Sequence, residues 1–308
     1  HQRRPAYVLM PASTLARQRR ATSIGFVAVL MWALLALFTA ATGQVPPLQL
    51  AAMTFGIAFF LALLKWLLRG EDIIGHLRHR PAVWAVGVGG LFGYHFFYFM
   101  ALRNAPAVEA SLIAYLWPLL IVLFSALLPG ERLRWWHVAG AVTGLAGAAL
   151  LIGGDQDFSA GIRLAPGHIA ALACAFLWSG YSILSRRLGH VPTDTVGGFC
   201  GATALLALWA HLLFESTVWP ADALQWLAVA GLGLGPVGLA FFCWDHGVKH
   251  GHIQALGASS YAAPLLSTLV LILFGFAAPT LNVALACLLI TGGAALASID
   301  LLRPVAKR

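Results

Sequence analysis

Ten apolar runs, each long enough to cross a bilayer, follow one another with only short connections between them. They cover about residues 22–42, 46–68, 82–101, 106–128, 134–152, 167–186, 193–214, 223–245, 253–275 and 280–301. About 17–25 apolar residues suffice for a helix to span the hydrocarbon core. The runs therefore predict an all-α integral membrane protein with ten transmembrane helices in contact with membrane lipid. Charged residues make up only 10% of the 308 positions, against about 25% in a soluble domain, so they are too few to cover a water-facing surface. Connections such as Pro46-Pro47, Arg80-Pro81, Pro129-Gly130 and Pro166-Gly167 are short. They make sequential helices neighbours and leave no room for a soluble domain.

The formal charge of +8 invites a nucleic-acid reading, but the basic residues form no patch or stripe, and no nucleic-acid partner is expected. Instead they obey membrane topology. All of the 19 lysines and arginines except Arg103 and Arg163 fall in connections of one parity. Lysine and arginine are retained on the cytoplasmic side, so both termini are expected there, in the plasma (inner) membrane. Residues 1–20 are basic and polar and read as a disordered tail rather than a signal peptide. Cys174, Cys200, Cys243 and Cys287 sit in four separate apolar runs, as small core residues with no disulfide or metal role.

At an offset of 146 the chain matches itself without gaps. The costly matches are Trp32/Trp178, Gly87/Gly233, Gly89/Gly235, Phe96/Phe242, Tyr115/Tyr261, Pro118/Pro264 and Gly147/Gly293. The repeat is thus five helices long, and an odd number plants the second copy upside down. The expected organisation is a cytoplasmic tail (1–21), a first five-helix repeat (22–152), an outer loop (153–166), a second repeat (167–302) and a cytoplasmic tail (303–308). Inverted repeats are typical of secondary transporters, whose substrate site lies near mid-membrane between the copies.

Tyr115-Leu-Trp-Pro118 and Tyr261-Ala-Ala-Pro264 place prolines where helices would otherwise continue. Each proline would free the carbonyl four residues earlier, at Ala114 and Ser260, and such a carbonyl needs protein or a wet cavity. The bland alternative is an ordinary kink. Tyr94, His95, Tyr115, Trp117, Trp32 and Trp178 fall mid-span, away from the interfaces where aromatics collect. They read as the walls of a cavity suited to an ammonium or an aromatic ring, or else as helix packing; Phe96 and Phe97 read as lipid-facing or packing residues. His95 is either a proton carrier or, more commonly, a neutral hydrogen-bond donor. All eleven carboxylates map to loops or span ends, which argues against a proton relay through an intramembrane acid. The stretch Asp245 to His252, with His246 and His250 four apart, resembles a metal cluster but is expected to be a solvated inner loop. Glycine pairs such as Gly140/Gly144 and Gly197/Gly201 read as close helix packing. No cofactor is implied. The chain also lacks the paired carboxylates or the Ser–His couple of an enzyme.

The stretch Ala101-Leu-Arg-Asn-Ala-Pro106 through Trp117-Pro118, Pro129-Gly130-Glu131 and Gly140-Ala-Val-Thr-Gly144 resembles the EamA-type branch of the drug/metabolite transporter superfamily. The segments 244–251 and 256–267 look closest to its YddG-type exporters of aromatic and other amino acids. Gly275-Phe276-Ala277 departs from the pattern and leaves Glu131 without a mate in the second half. The resemblance implies export of amino acids or related metabolites by alternating access, with the fifth and tenth helices as a peripheral pair. Purines, nucleotide sugars and drugs are the alternative substrates, and the chain is a monomer or a homodimer. The substrate-binding residues it points to are Tyr94, His95, Tyr115, Trp117, Pro118, Trp178, Ser260, Tyr261 and Pro264. Ser260 would offer a hydroxyl, and the prolines would act as hinges.

Overall fold

A computed structural model describes residues 12–153, 165–273 and 278–302. The expectations for residues 1–11, the core of the 153–166 loop, Gly275-Phe276-Ala277 and the 303–308 tail fall outside them. Every regular element among the described residues is helical. The first four are α1 (Ala12–Trp32 and Leu35–Ala41), α2 (Pro47–Arg69), α3 (Pro81–Asn104) and α4 (Ala107–Ala114 and Trp117–Phe124). Next come α5 (Trp135–Gly153), α6 (Pro166–Arg187), α7 (Val196–Phe214) and α8 (Ala223–His250). The last two are α9 (Ile253–Ser259 and Ala262–Leu273) and α10 (Leu281–Ala297). The first eight apolar helices are long enough to cross a membrane, and large apolar side chains such as Leu205, Trp209, Leu212 and Phe60 cover their outward faces. The protein is a multi-span membrane protein.

Local chemistry sets the helix ends. Pro47, Pro81 and Pro166 occupy first-turn positions, where the missing N–H costs nothing. Gly70 closes α2 in the left-handed region (φ 62°), and the Glu71 N–H reaches back to the Trp66 carbonyl at 2.9 Å, a glycine C-cap. Asp222 and Thr280 cap α8 and α10 through their side chains.

Helices pair as a two-fold arrangement would have them: α1 with α8 and α6 with α3, then α2 with α7 and α5 with α10. Small residues bring the partners close. A β-carbon added at Gly140 would lie 2.5 Å from the Gly293 carbonyl, and one at Gly197 would strike Ala62 and Trp66. α3 and α8 each carry a π turn, Gly89–Gly93 and Gly235–Leu239, starting 146 residues apart.

Three expectations change. α1 begins by Ala12, so Arg17, Arg19 and Arg20 ride on a helix rather than a disordered tail. α8 continues to His250, so Asp245, His246 and Lys249 are helical and Asp245 is buried; its pairing with Lys249 at 2.7 Å makes that burial tolerable. The Ser260 carbonyl accepts the Ala263 N–H at 3.1 Å, because the chain tightens by one residue at the break instead of leaving the group orphaned.

Candidate functional site

The breaks in α1, α4 and α9 and the π turns of α3 and α8 all bring residues at or beside them to one cavity. Each interrupts a regular helix and lets side chains converge. Between them lies a cavity of about 100 Å³, lined by aromatic groups of Trp32, Tyr94, His95, Tyr115, Trp117, Trp178 and Phe241 and by Leu35, Pro236, Val237 and Ala263. The repeat mates Trp32 and Trp178 meet with ring centroids 5.7 Å apart at 75°. Trp117 stands edge-on to both, at 6.3 Å from each. Trp244, outside the lining, packs against the same cluster, 5.2 Å from Trp32 and 5.7 Å from Trp117. Edge-to-face pairs of this kind contribute about 0.5–1.5 kcal/mol each beyond burial.

Polar groups inside this apolar shell are few and held in place. The Trp32 indole N–H donates to the Pro236 carbonyl at 3.0 Å, a group in the π turn of α8. His95 Nδ1 lies 2.7 Å from the Leu91 carbonyl. A carbonyl only accepts, so Nδ1 carries the proton and Nε2 of the neutral ring is an acceptor. Tyr94 stacks on Tyr98 at 5.9 Å and 5°, and the Tyr98 hydroxyl is 3.4 Å from Ser111 Oγ. Among the described residues, no carboxylate, lysine or arginine lines the cavity.

The structure brings together five of the nine residues singled out from sequence: Tyr94, His95, Tyr115, Trp117 and Trp178. Pro118, Ser260, Tyr261 and Pro264 lie outside the lining. The Ser260 hydroxyl donates to the Leu256 carbonyl at 2.7 Å and is fully buried. Tyr261, also fully buried, packs among Ala148, Leu265 and Ile290, and its hydroxyl accepts the Leu119 N–H at 3.2 Å. It caps the helix that follows the α4 break, a task its position in the sequence does not reveal. The two prolines sit in first turns, where they start a helix rather than bend one. Phe241, Pro236, Val237, Leu35 and Ala263 carry no polar signal that could have marked them, but Trp32 was legible as the repeat mate of Trp178.

Polar locks flank the cavity on both sides. On the near face, where α1 begins, Arg186 pairs with Glu131 and donates to the carbonyls of Val248 and Gly251 at 2.9 and 2.7 Å. On the far face, Glu215 accepts the Leu48 and Gln49 N–H groups at the start of α2, and it pairs with Arg103 of α3 and His211 of α7. Glu109 pairs there with His168 at 2.7 Å.

His137, His252 and Asp300 cluster on the near face with ligand atoms close enough to share a metal ion. The hydrogen bonds speak otherwise. Nδ1 of His137 accepts the Arg134 N–H, and Nδ1 of His252 accepts the Ala255 N–H. Both rings are thereby fixed with the proton on Nε2, and His137 spends that proton on Asp300 at 3.0 Å. The His246 and His250 rings lie 4.9 Å apart on α8, tilted by 56°. All four cysteines are unpaired thiols, with Cys174 and Cys200 buried.

The EamA-like transporter family matches twice along the sequence, over residues 20–153 and 165–299. The chain belongs to this family. It is 56% identical over 280 residues, 91% of this chain and 97% of the relative, to the aromatic amino acid exporter YddG of Ancylobacter novellus. The aromatic amino acid exporter YddG of Escherichia coli is 23% identical over 82% of this chain and 87% of its own length. A crystal structure superposes with a TM-score of 0.86 at 55% identity, covering 92% of this chain and 98% of that one.

Proposed function

We propose that this transporter exports aromatic and other neutral amino acids, or related metabolites, from the cytoplasm across the inner membrane by alternating access. The observation that carries the proposal is the central cavity, walled by tryptophan and tyrosine and free of charged side chains. An aromatic side chain would stack on the tryptophans, and its ammonium would meet ring faces and the His95 Nε2 acceptor. The names of the relatives support the same substrate class. Ten crossings in two inverted repeats, 22–152 and 167–302, supply the machine, with the near face and both termini cytoplasmic. The cavity is smaller than the ~300 Å³ of an ordinary ligand pocket, so loading requires one of the two polar locks to open. Tyr94, His95, Tyr115, Trp117 and Trp178 are the substrate-contacting residues. Pro118, Ser260, Tyr261 and Pro264 act through helix geometry. A lining without arginine disfavours nucleotide sugars.

Counterflow of labelled phenylalanine, methionine and threonine in proteoliposomes tests the reading. Saturable exchange above empty vesicles is expected, with phenylalanine preferred. Flux at the empty-vesicle level for every amino acid would end it.

A further inference from the structure

One buried ionisable cluster takes no part in lining the cavity. Asp245, on α8, is 1% exposed. Its Oδ2 is 2.7 Å from Lys249 Nζ and accepts the Thr193 hydroxyl at 2.8 Å. Lys249 also donates to the Val191 carbonyl at 2.9 Å. The pair therefore ties α8 to the connection between α6 and α7. The other carboxylate oxygen, Oδ1, and the Tyr181 hydroxyl are both buried with no well-formed hydrogen bond, and Tyr181 lies close enough to interact with Asp245 and with Ser185. Orphaned buried polar atoms are costly and call for an explanation. Tyr181 joins this cluster to the cavity, because its ring packs 5.2 Å from that of Trp178, a cavity wall. Gly90 of α3 leaves the space the Tyr181 side chain occupies.

We propose that Asp245 is the site of a coupling proton, reached from the cavity past Tyr181, and that its occupancy controls the near-face lock. This deepens the export reading and rests on it. Ionised, Asp245 holds Lys249, and through it the α6–α7 connection, against α8. One proton added at Oδ1 gives that oxygen a donor to offer Tyr181 and cancels the charge that holds Lys249. The lock then opens toward the cytoplasm, where the proton leaves and substrate binds. Closure re-forms the ion pair, and the cycle moves one proton inward for each substrate outward. The charged and titratable groups facing Asp245 are Lys249 and His246 on its own helix and Tyr181 on α6. Cys200 of α7 faces Tyr181, and His79, bonded to Thr195, lies beyond Lys249. α1 packs on α8 through Gly25 against Gly247 and carries no titratable residue between there and Ala41.

The test uses the full chain in proteoliposomes with the membrane potential clamped. Each preparation is assayed for phenylalanine counterflow at equal pH, for accumulation driven by a one-unit pH gradient, and for proton movement with a trapped pH dye. Wild type should concentrate phenylalanine up to about tenfold, the limit for one proton per substrate, with proton flux in the opposite direction. Asp245→Asn, which stands in for the protonated acid and cannot re-form the ion pair, should slow counterflow severalfold without abolishing it, since an amide still bonds Thr193, and should lose both accumulation and proton flux. Asp245→Glu should restore them in part. Counterflow by wild type without any proton movement would overturn the proposal, whatever the variants do. Gradient-driven accumulation by Asp245→Asn would also overturn it. Absence of counterflow in wild type would remove the export reading itself, and this inference with it.

Discussion

His95 shows how one backbone bond decides what a side chain offers. With Nδ1 spent on Leu91, the neutral ring of this cavity-lining residue keeps one lone pair, at Nε2, to offer. His95→Phe keeps the ring and removes the acceptor. Losing one hydrogen bond to a charged ammonium costs about 1.5–3 kcal/mol, so half-saturation in counterflow should rise by roughly tenfold or more. His252 works in the opposite sense, as a cap. Burial, with His137 beside it, pushes its pKa from 6.5 down to about 4. The folded protein holds this ring neutral while the unfolded chain protonates it. Its contribution is therefore intact above pH 6.5 and is lost as pH falls to about 4, amounting to roughly 3 kcal/mol. Thermal unfolding in detergent should show His252→Gln, whose amide oxygen can still accept the Ala255 N–H, with a flatter acid slope than wild type. An equal slope would mean that His252 titrates normally.

Among the elements, α4 and α9 carry the breaks that the proline repeat announced, but the chemistry differs from a simple kink. Pro118 lies in the first turn after the break, and the Leu119 N–H exposed there is met by Tyr261 from the other half. Tyr261→Phe should therefore cost about 1 kcal/mol, as loss of a cap does, with half-saturation for substrate unchanged. A shift in half-saturation without loss of thermal stability would put Tyr261 back in the site. Periodicity and proline made the helices and breaks legible. The end of α8 was not, because Asp245, Lys249 and His250 look like loop residues until the Asp245–Lys249 and Lys249–Val191 bonds show how they are satisfied inside a helix.

For the molecule as a whole, the 146-residue repeat marked Trp32 and Trp178 as counterparts, and in the fold the two rings meet edge to face at the cavity. It could not foretell that the halves differ in shape. α1 is interrupted at Ala33–Leu34, but its mate α6 runs unbroken through Ser179 and Gly180. A duplicated machine reaches its opposite state when the copies trade conformations. The hinge now visible in α1 would then migrate to α6, at Gly180, the counterpart of Leu34. A β-carbon at Gly180 meets no neighbour within 4 Å, so Gly180→Ala should leave the present shape unstrained. It should also stiffen α6 by about 1 kcal/mol and slow counterflow severalfold at unchanged half-saturation. One glycine in open space would then act as the dormant twin of a joint already bent elsewhere, and turnover would be set by how readily it yields.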